Sequence, residues 1–332
     1  MNFKKSFNFS LWCDFIERDF LEEEFQNLLK NKTIQGATSN PAIFEQSIAT
    51  SGAYIQQIEM LQVNSAKKIY EELAITDIKR AAQIMHPLHE RDEQDGFISI
   101  EVDPLLCDDA DATIQEGVRL FEEIDYDNVM IKVPATQAGY IAMKELTSQG
   151  INVNATLIFS VNQAIQCTKA LNEGIELSNH NAKAVVSIFV SRFDRLLDEK
   201  LLSLDIKPSQ TGILNAVKCY HEIQKFENTN IRTLFASTGV KDDALDSSYY
   251  IDNLIYPHSI NTAPLATINA YINKNEFTKS KIISEDECDT YFKNLEENGI
   301  NIEEISQKLL NDGLESFKIS FTNMIKKLKL ET

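Results

Sequence analysis

A chain of 332 residues, 43% hydrophobic and 25% charged, has the composition of a soluble globular protein with a sizeable core. Its net charge of −18 and pI of about 4.7 repel nucleic acid and anionic membranes, so any site for a phosphorylated metabolite requires a local cationic cluster. The cysteines (Cys13, Cys107, Cys167, Cys219 and Cys288) are scattered without a CxxC pair, which speaks against a disulfide framework or zinc site and for a reducing compartment.

The basic start MNFKK is followed by an apolar stretch that Asn8 and Ser10 break and Asp14 stops, so no signal peptide is expected. No apolar run nears the ~18 residues of a membrane helix. The expectation is a cytoplasmic protein. Phe7 to Cys13 alternates and ends in Asp14, which predicts a strand, and Glu17 to Lys30 carries apolar residues at helical spacing. Gly36 to Asn40 reads as a short strand and turn, with Asn40 as helix cap and Pro41 in the first helical position. A helical region then runs to about Arg91, interrupted near Pro87; His86 and His89 within it read as surface residues rather than metal ligands.

Phe97 to Val102 predicts the third strand and Asp109 to Phe121 a helix with acidic residues in its first turn. Val129 to Val133 is the fourth strand, and Gln137 to Ser148 is a helix that Gly150 ends. Asn152 to Phe159 and Ala184 to Val190 are the next strands, each followed by a helix, over Asn162–Glu176 and Arg192–Leu202. A helix over Ile213–Phe226 precedes the seventh strand, Arg232 to Ala236. The eighth falls either on Asn253–Tyr256 or on Ser259–Thr262, and the tail from Glu285 is helical. Strand and helix alternating about eight times, with no GxGxxG after the first strand and no P-loop, predict the α/β class. The closest pattern is one (βα)8 barrel domain over residues 1–332, with a helical insert at about 41–91 and a helical tail at about 285–330.

Lys132 interrupts the apolar fourth strand. An ammonium buried without compensation costs several kcal/mol, roughly, and tends to shed its proton and become a nucleophilic amine. The alternative is a structural lysine paired with a buried carboxylate, or one whose head reaches out at the strand end. In a parallel barrel, polar groups at the carboxyl ends of strands share one mouth. Here these are Asp14, Thr38, Asn40, Glu101, Asp103, Lys132, Asn154, Thr156, Ser187 and Ser237. Asn154 and Thr156, two apart, share a strand face, as do Ser99 and Glu101. Arg192 after the sixth strand, and Lys241 behind Ser237-Thr-Gly239 after the seventh, are candidates for a phosphate cradle.

Three segments then make the chain resemble a known family over essentially its whole length. They are Ala37-Thr-Ser-Asn-Pro-Ala-Ile-Phe44, Val129-Met-Ile-Lys-Val-Pro-Ala-Thr136 and Gly150-Ile-Asn-Val-Asn-Ala-Thr-Leu-Ile-Phe-Ser160. With Leu11-Trp-Cys-Asp14, Ile100-Glu-Val-Asp103, Ser187-Ile-Phe-Val-Ser-Arg192 and Ala236-Ser-Thr-Gly239 in order, the sequence is similar to the transaldolases. The resemblance implies a cofactor-free, metal-free transferase of the pentose phosphate pathway. It would move a dihydroxyacetone unit from sedoheptulose 7-phosphate or fructose 6-phosphate to glyceraldehyde 3-phosphate or erythrose 4-phosphate. It makes Lys132 the Schiff-base residue and Asp14 the group that moves the C4-hydroxyl proton. Glu101 is to act through a water held with Thr156. Asn40, Asn154 and Ser187 are to bind the carbon skeleton, with Thr38 and Phe189 counted beside them, and Arg192 and Ser237 to bind phosphate. Lys241 stands in for an arginine found in many members, with Arg232 and Arg195 as alternatives, and Ser191 replaces a frequent glycine. The implied partners are sugar phosphates alone, with the chain a monomer or homodimer. Two other readings are an aldolase releasing free dihydroxyacetone, whose representatives are shorter and lack the glutamate–water arrangement, and a non-catalytic sugar-phosphate-binding barrel.

Overall fold

Every strand residue is buried, as parallel strands covered on both faces must be. The strands are β1 (Ser10–Cys13), β2 (Gly36–Thr38), β3 (Phe97–Glu101), β4 (Val129–Pro134), β5 (Asn152–Ile158), β6 (Ala184–Phe189), β7 (Ile231–Ala236) and β8 (Ser259–Ala263). Each pairs in parallel with the next and β8 returns to β1, which closes the sheet into the expected (βα)8 barrel with additional helices. The computed structural model describes residues 7–178, 180–241, 245–274 and 281–330.

The helices α1 (Arg18–Glu22) and α2 (Glu24–Lys30) follow β1; α3 (Pro41–Thr50), α4 (Ile55–Leu61) and α5 (Ala66–His89) follow β2. Helices α6 (Ala110–Ile124), α7 (Gln137–Ser148) and α8 (Val161–Leu177) follow β3, β4 and β5 in turn. After β6 come α9 (Ser191–Ser203) and α10 (Thr211–Gln224), and after β7 comes α11 (Tyr249–Asn253). The chain ends in α12 (Leu265–Ile272), α13 (Glu285–Glu297) and α14 (Ile302–Leu330). Caps begin many of these helices: Asn40 accepts from Ala42 N and Ile43 N, Thr136 from Gly139 N, and Ser160 forms a capping box with Gln163. Among the described residues no helix is long and apolar enough to cross a membrane.

Two local expectations are corrected and one open alternative is decided. The predicted Glu17–Lys30 helix is two, because a break at Glu23 re-aims the chain so that Phe20 and Leu21, then Phe25 and Leu28, are all buried. Helix α5 runs through Pro87 to His89; the proline sits in the last turn, where only one backbone bond is lost, and Glu90 N again reaches His86 O at 2.9 Å. Of the two candidates for the eighth strand, Ser259–Thr262 is the strand, while Asn253 ends α11. His86 stands 3.2 Å from Asp127, and His89 is half-buried with Nδ1 2.8 Å from Asp95 O.

Strand alternation divides the core in two. Trp12, Phe97, Met130, Val185, Leu234 and Ile260 pack together inside the barrel, while Ala37, Ile98, Ile131, Val153, Val186 and Phe235 join the layer beneath the helices. The Trp12 indole fills the space over Gly36, where a Cβ would lie 2.6 Å from its Cε2, so a side chain there would evict the largest interior ring. The amino-terminal end of the barrel is plugged by Arg232. Its guanidinium meets Asp95 at 3.2 Å, Ser10 Oγ at 2.9 Å and the carbonyls of Gln94, Asn8 and Ser259.

Candidate active site

The opposite end is where the expected residues gather. Lys132 belongs to the inward face of β4, flanked in sequence by Ile131 and Val133, which face the helices. Register puts it beside Glu101 of β3 and Asn154 of β5. Its Nζ donates to Ser39 O at 3.0 Å and stands 3.6 Å from Glu101 Oε2. Lys132 is 5% exposed and Glu101 8%. The two readings of this lysine therefore meet in one geometry: it has a buried carboxylate neighbour, yet at a distance that leaves Oε2 without a hydrogen bond.

Asp14 follows β1 and is fixed by Asp14 N donating to Ala263 O at 2.9 Å. Thr38 Oγ1 donates to Asp14 Oδ1 at 2.6 Å; its single proton being used, Thr262 Oγ1 must donate to Thr38 across 2.7 Å. Burial raises the Asp14 carboxyl above the usual range, opposed by the charge of Lys132 and by the Thr38 hydroxyl. Glu101 is pushed up to about 7, first by burial and then by the charge of Asp14, with Lys132 opposing. The site thus holds two carboxyl groups that share one lysine and repel each other, one of them poised to exchange a proton near neutrality.

The fifth and sixth strands supply a polar wall. Ser187 Oγ donates to Asn154 Oδ1 at 2.6 Å and Asn154 Nδ2 donates to Ser99 Oγ at 3.0 Å, which fixes the amide orientation. Thr156 Oγ1 is buried and, among the described residues, neither it nor Glu101 Oε2 has a hydrogen-bond partner. Two orphaned polar atoms at one barrel mouth mark room for a polar guest, since unmet hydrogen-bonding groups are costly to bury. Asn40, half-buried, has its oxygen committed to capping α3, so only its amide nitrogen remains to face a ligand.

On the other side, Arg192 opens α9 with its guanidinium 5.2 Å from the Phe189 ring centre and 5.9 Å from that of Phe159. Neither Arg192 nor Arg195, one turn later, has an ion pair among the described residues; burial and the Arg195 charge together depress the Arg192 pKa. Ser237 stands half-buried at φ +55, with its Oγ 3.1 Å from Ser191 Oγ. Lys241 is exposed and makes no hydrogen bond or ion pair among the described residues. Of the alternatives for a second phosphate cation, Arg232 is excluded because it closes the far end of the barrel, whereas Arg195 lies beside Arg192. Sequence reasoning missed Thr262, which supports Thr38, and the carbonyl of Ser39; a backbone acceptor carries no residue signal, and β8 was the least certain strand.

Fold and site together define a (βα)8 barrel built around a buried lysine with two carboxyl groups and two neighbouring arginines that have no ion pair among the described residues. Residues 11–328 match the family model described as Transaldolase/Fructose-6-phosphate aldolase. The chain is 46% identical to the transaldolase of Campylobacter jejuni subsp. doylei over 343 aligned positions, covering 97% of this chain and 99% of that protein. It is 43% identical to the transaldolase of Helicobacter pylori over 317 positions, 96% of this chain and 98% of that one. The chain belongs to the transaldolase/fructose-6-phosphate aldolase family.

Proposed function

We propose that the barrel mouth carries out the transaldolase reaction with Lys132 as its covalent nucleophile. The chain is an enzyme of this kind, interconverting sugar phosphates. In the proposed sequence Lys132 gives its ammonium proton to Glu101, and the neutral amine attacks the ketone carbon of fructose 6-phosphate or sedoheptulose 7-phosphate. The carbinolamine loses water with a proton from Glu101, passed through a water held with Thr156. The iminium then draws the electrons of the adjacent C–C bond, while Asp14 takes the proton of the C4 hydroxyl. An aldose phosphate leaves, and a three-carbon enamine stays on Lys132. An acceptor aldose phosphate reverses these steps, Asp14 returning the proton to the new hydroxyl, and hydrolysis frees the lysine.

The carrying observation is the Lys132–Glu101 approach at 3.6 Å, with Glu101 Oε2 making no hydrogen bond among the described residues. Thr38, Asn40, Asn154, Ser187 and Phe189 would hold the carbon chain, and Arg192 with Ser237 the phosphate. Arg195, beside Arg192, is the better second cation than the exposed Lys241. We take residues 1–332 as one domain, acting in the cytoplasm as monomer or homodimer. Borohydride trapping with fructose 6-phosphate, followed by peptide mass mapping, should place a three-carbon or sugar-derived adduct on Lys132. An adduct on another lysine, or none, refutes the mechanism. Release of dihydroxyacetone without acceptor at a rate near turnover would instead favour the aldolase reading.

A further inference from the structure

A glycine inside a helix is a poorer choice than alanine unless something must come close to its backbone. Gly313 lies well within α14 and is buried. A Cβ on it would lie 3.0 Å from Leu157 Cδ2, 3.2 Å from Arg192 Nη1 and 3.6 Å from Phe159 Cε2. The backbone of the last long helix therefore rests directly on the tip of the arginine at the barrel mouth. Two further features converge there. The ring centres of Phe189 and Phe159 lie 5.2 and 5.9 Å from the guanidinium carbon. Leu157 stands at φ +58 within the register shift of β5 between Ala155 and Ile158, so a bulge turns its side chain toward the same contact. The neighbouring acid, Asp312, is exposed and paired with Lys308 at 2.5 Å.

We propose that Gly313 is a positioning residue for the phosphate end of the substrate: the bare helix backbone confines Arg192 against Phe159 and Phe189, so that its guanidinium meets a phosphate already oriented. This rests on the reading of Arg192 as a phosphate ligand. Free arginine side chains lose rotamer entropy when they bind; a guanidinium held between two rings and a helix has lost most of it in advance. Helix α14 is thereby a part of the site, and discrimination for phosphorylated donors depends on it. A methyl at position 313 must push Arg192, Leu157 or the helix away.

The test is steady-state kinetics of Gly313→Ala with fructose 6-phosphate and with unphosphorylated fructose, together with competitive inhibition by inorganic phosphate. KM for fructose 6-phosphate and the phosphate Ki should rise about tenfold, about 1.4 kcal/mol, with kcat changed far less and the unphosphorylated donor affected less than twofold. In an Arg192→Lys background, which lacks the Nη1 contact, the same substitution should add nothing. Equal effects on both donors, no effect on either, or an undiminished effect in the Arg192→Lys background overturns the proposal. Should the variant not fold, amide exchange in the unmodified enzyme decides: saturating phosphate should protect the amides around Gly313, and unchanged exchange there overturns it. The underlying reading fails separately, if Arg192→Ala leaves the phosphate Ki unchanged.

Discussion

Replacing Glu101 by glutamine should make the protein more stable at high pH while disabling it. The group is nearly inaccessible, with its side chain 4% exposed, and Lys132 lies 3.6 Å away. Ionising it is nevertheless unfavourable on balance, because burial outweighs the lysine and lifts its pKa from an ordinary 4.5 to about 7. The folded state thus holds this proton more tightly than the unfolded chain does, so stability falls as pH rises from about 4.5 and levels off above about 7. At 1.36 kcal/mol per unit the loss is about 3 kcal/mol. Glutamine has the same shape and no charge to bury. The variant should therefore match the wild type within about 1 kcal/mol at pH 5 and exceed it by up to about 3 kcal/mol at pH 8.5. Asp14 titrates in both proteins, and because it repels Glu101 across the same lysine the difference between them reports Glu101 together with its coupling to Asp14. Urea unfolding at the two pH values measures it. Trapping of the Schiff base by borohydride, in parallel, should slow by about 10²–10⁴-fold, the usual worth of a lost acid–base group. A variant whose stability relative to wild type is the same at both pH values refutes the reasoning, as does one that forms the adduct at the wild-type rate.

The remaining predictions address the other parts of the site. Asp14→Ala should leave adduct formation with fructose 6-phosphate largely intact while slowing release of the aldose phosphate by about 10²-fold or more; equal slowing of both steps would refute the division between Asp14 and Glu101. Thr38→Val removes the hydroxyl that donates to Asp14 at 2.6 Å, which disfavours the ionised carboxylate and raises its pKa further. The acidic limb of the pH–rate profile should then move to higher pH, and an unmoved limb would show that Asp14 does not control it. Arg232→Ala removes the guanidinium 3.2 Å from the buried Asp95 carboxylate, which keeps its hydrogen bond from Ser10, and should cost about 3–5 kcal/mol in urea unfolding. Phosphate inhibition of the folded fraction should be unchanged; a weakened Ki would contradict the placement of Arg232 at the far end.

Much of this protein was legible in its residues alone. Short, largely apolar strands alternating with capped helices predicted the barrel, because burial on both faces leaves a parallel strand little choice of composition. Lys132 and Glu101 stood out because a charge inside such a run has no capping or turn role to explain it. The resemblance to the transaldolases then assigned their expected work. Helix continuity was harder: Pro87 is harmless only because it falls in a last turn, and nothing in the local residue pattern marked the break at Glu23. What tertiary structure alone decided depends on distance between remote segments. Arg232 and Arg195 were equivalent on paper, yet one plugs the amino-terminal end and the other stands beside Arg192, because position along a strand or helix decides which end of the barrel a side chain serves. The pH response of Glu101 likewise comes from burial and two charges on other strands. And Gly313, an unremarkable helix residue in sequence, proves to lie against Arg192 only once a helix more than a hundred residues downstream in the chain is seen to cross the barrel mouth.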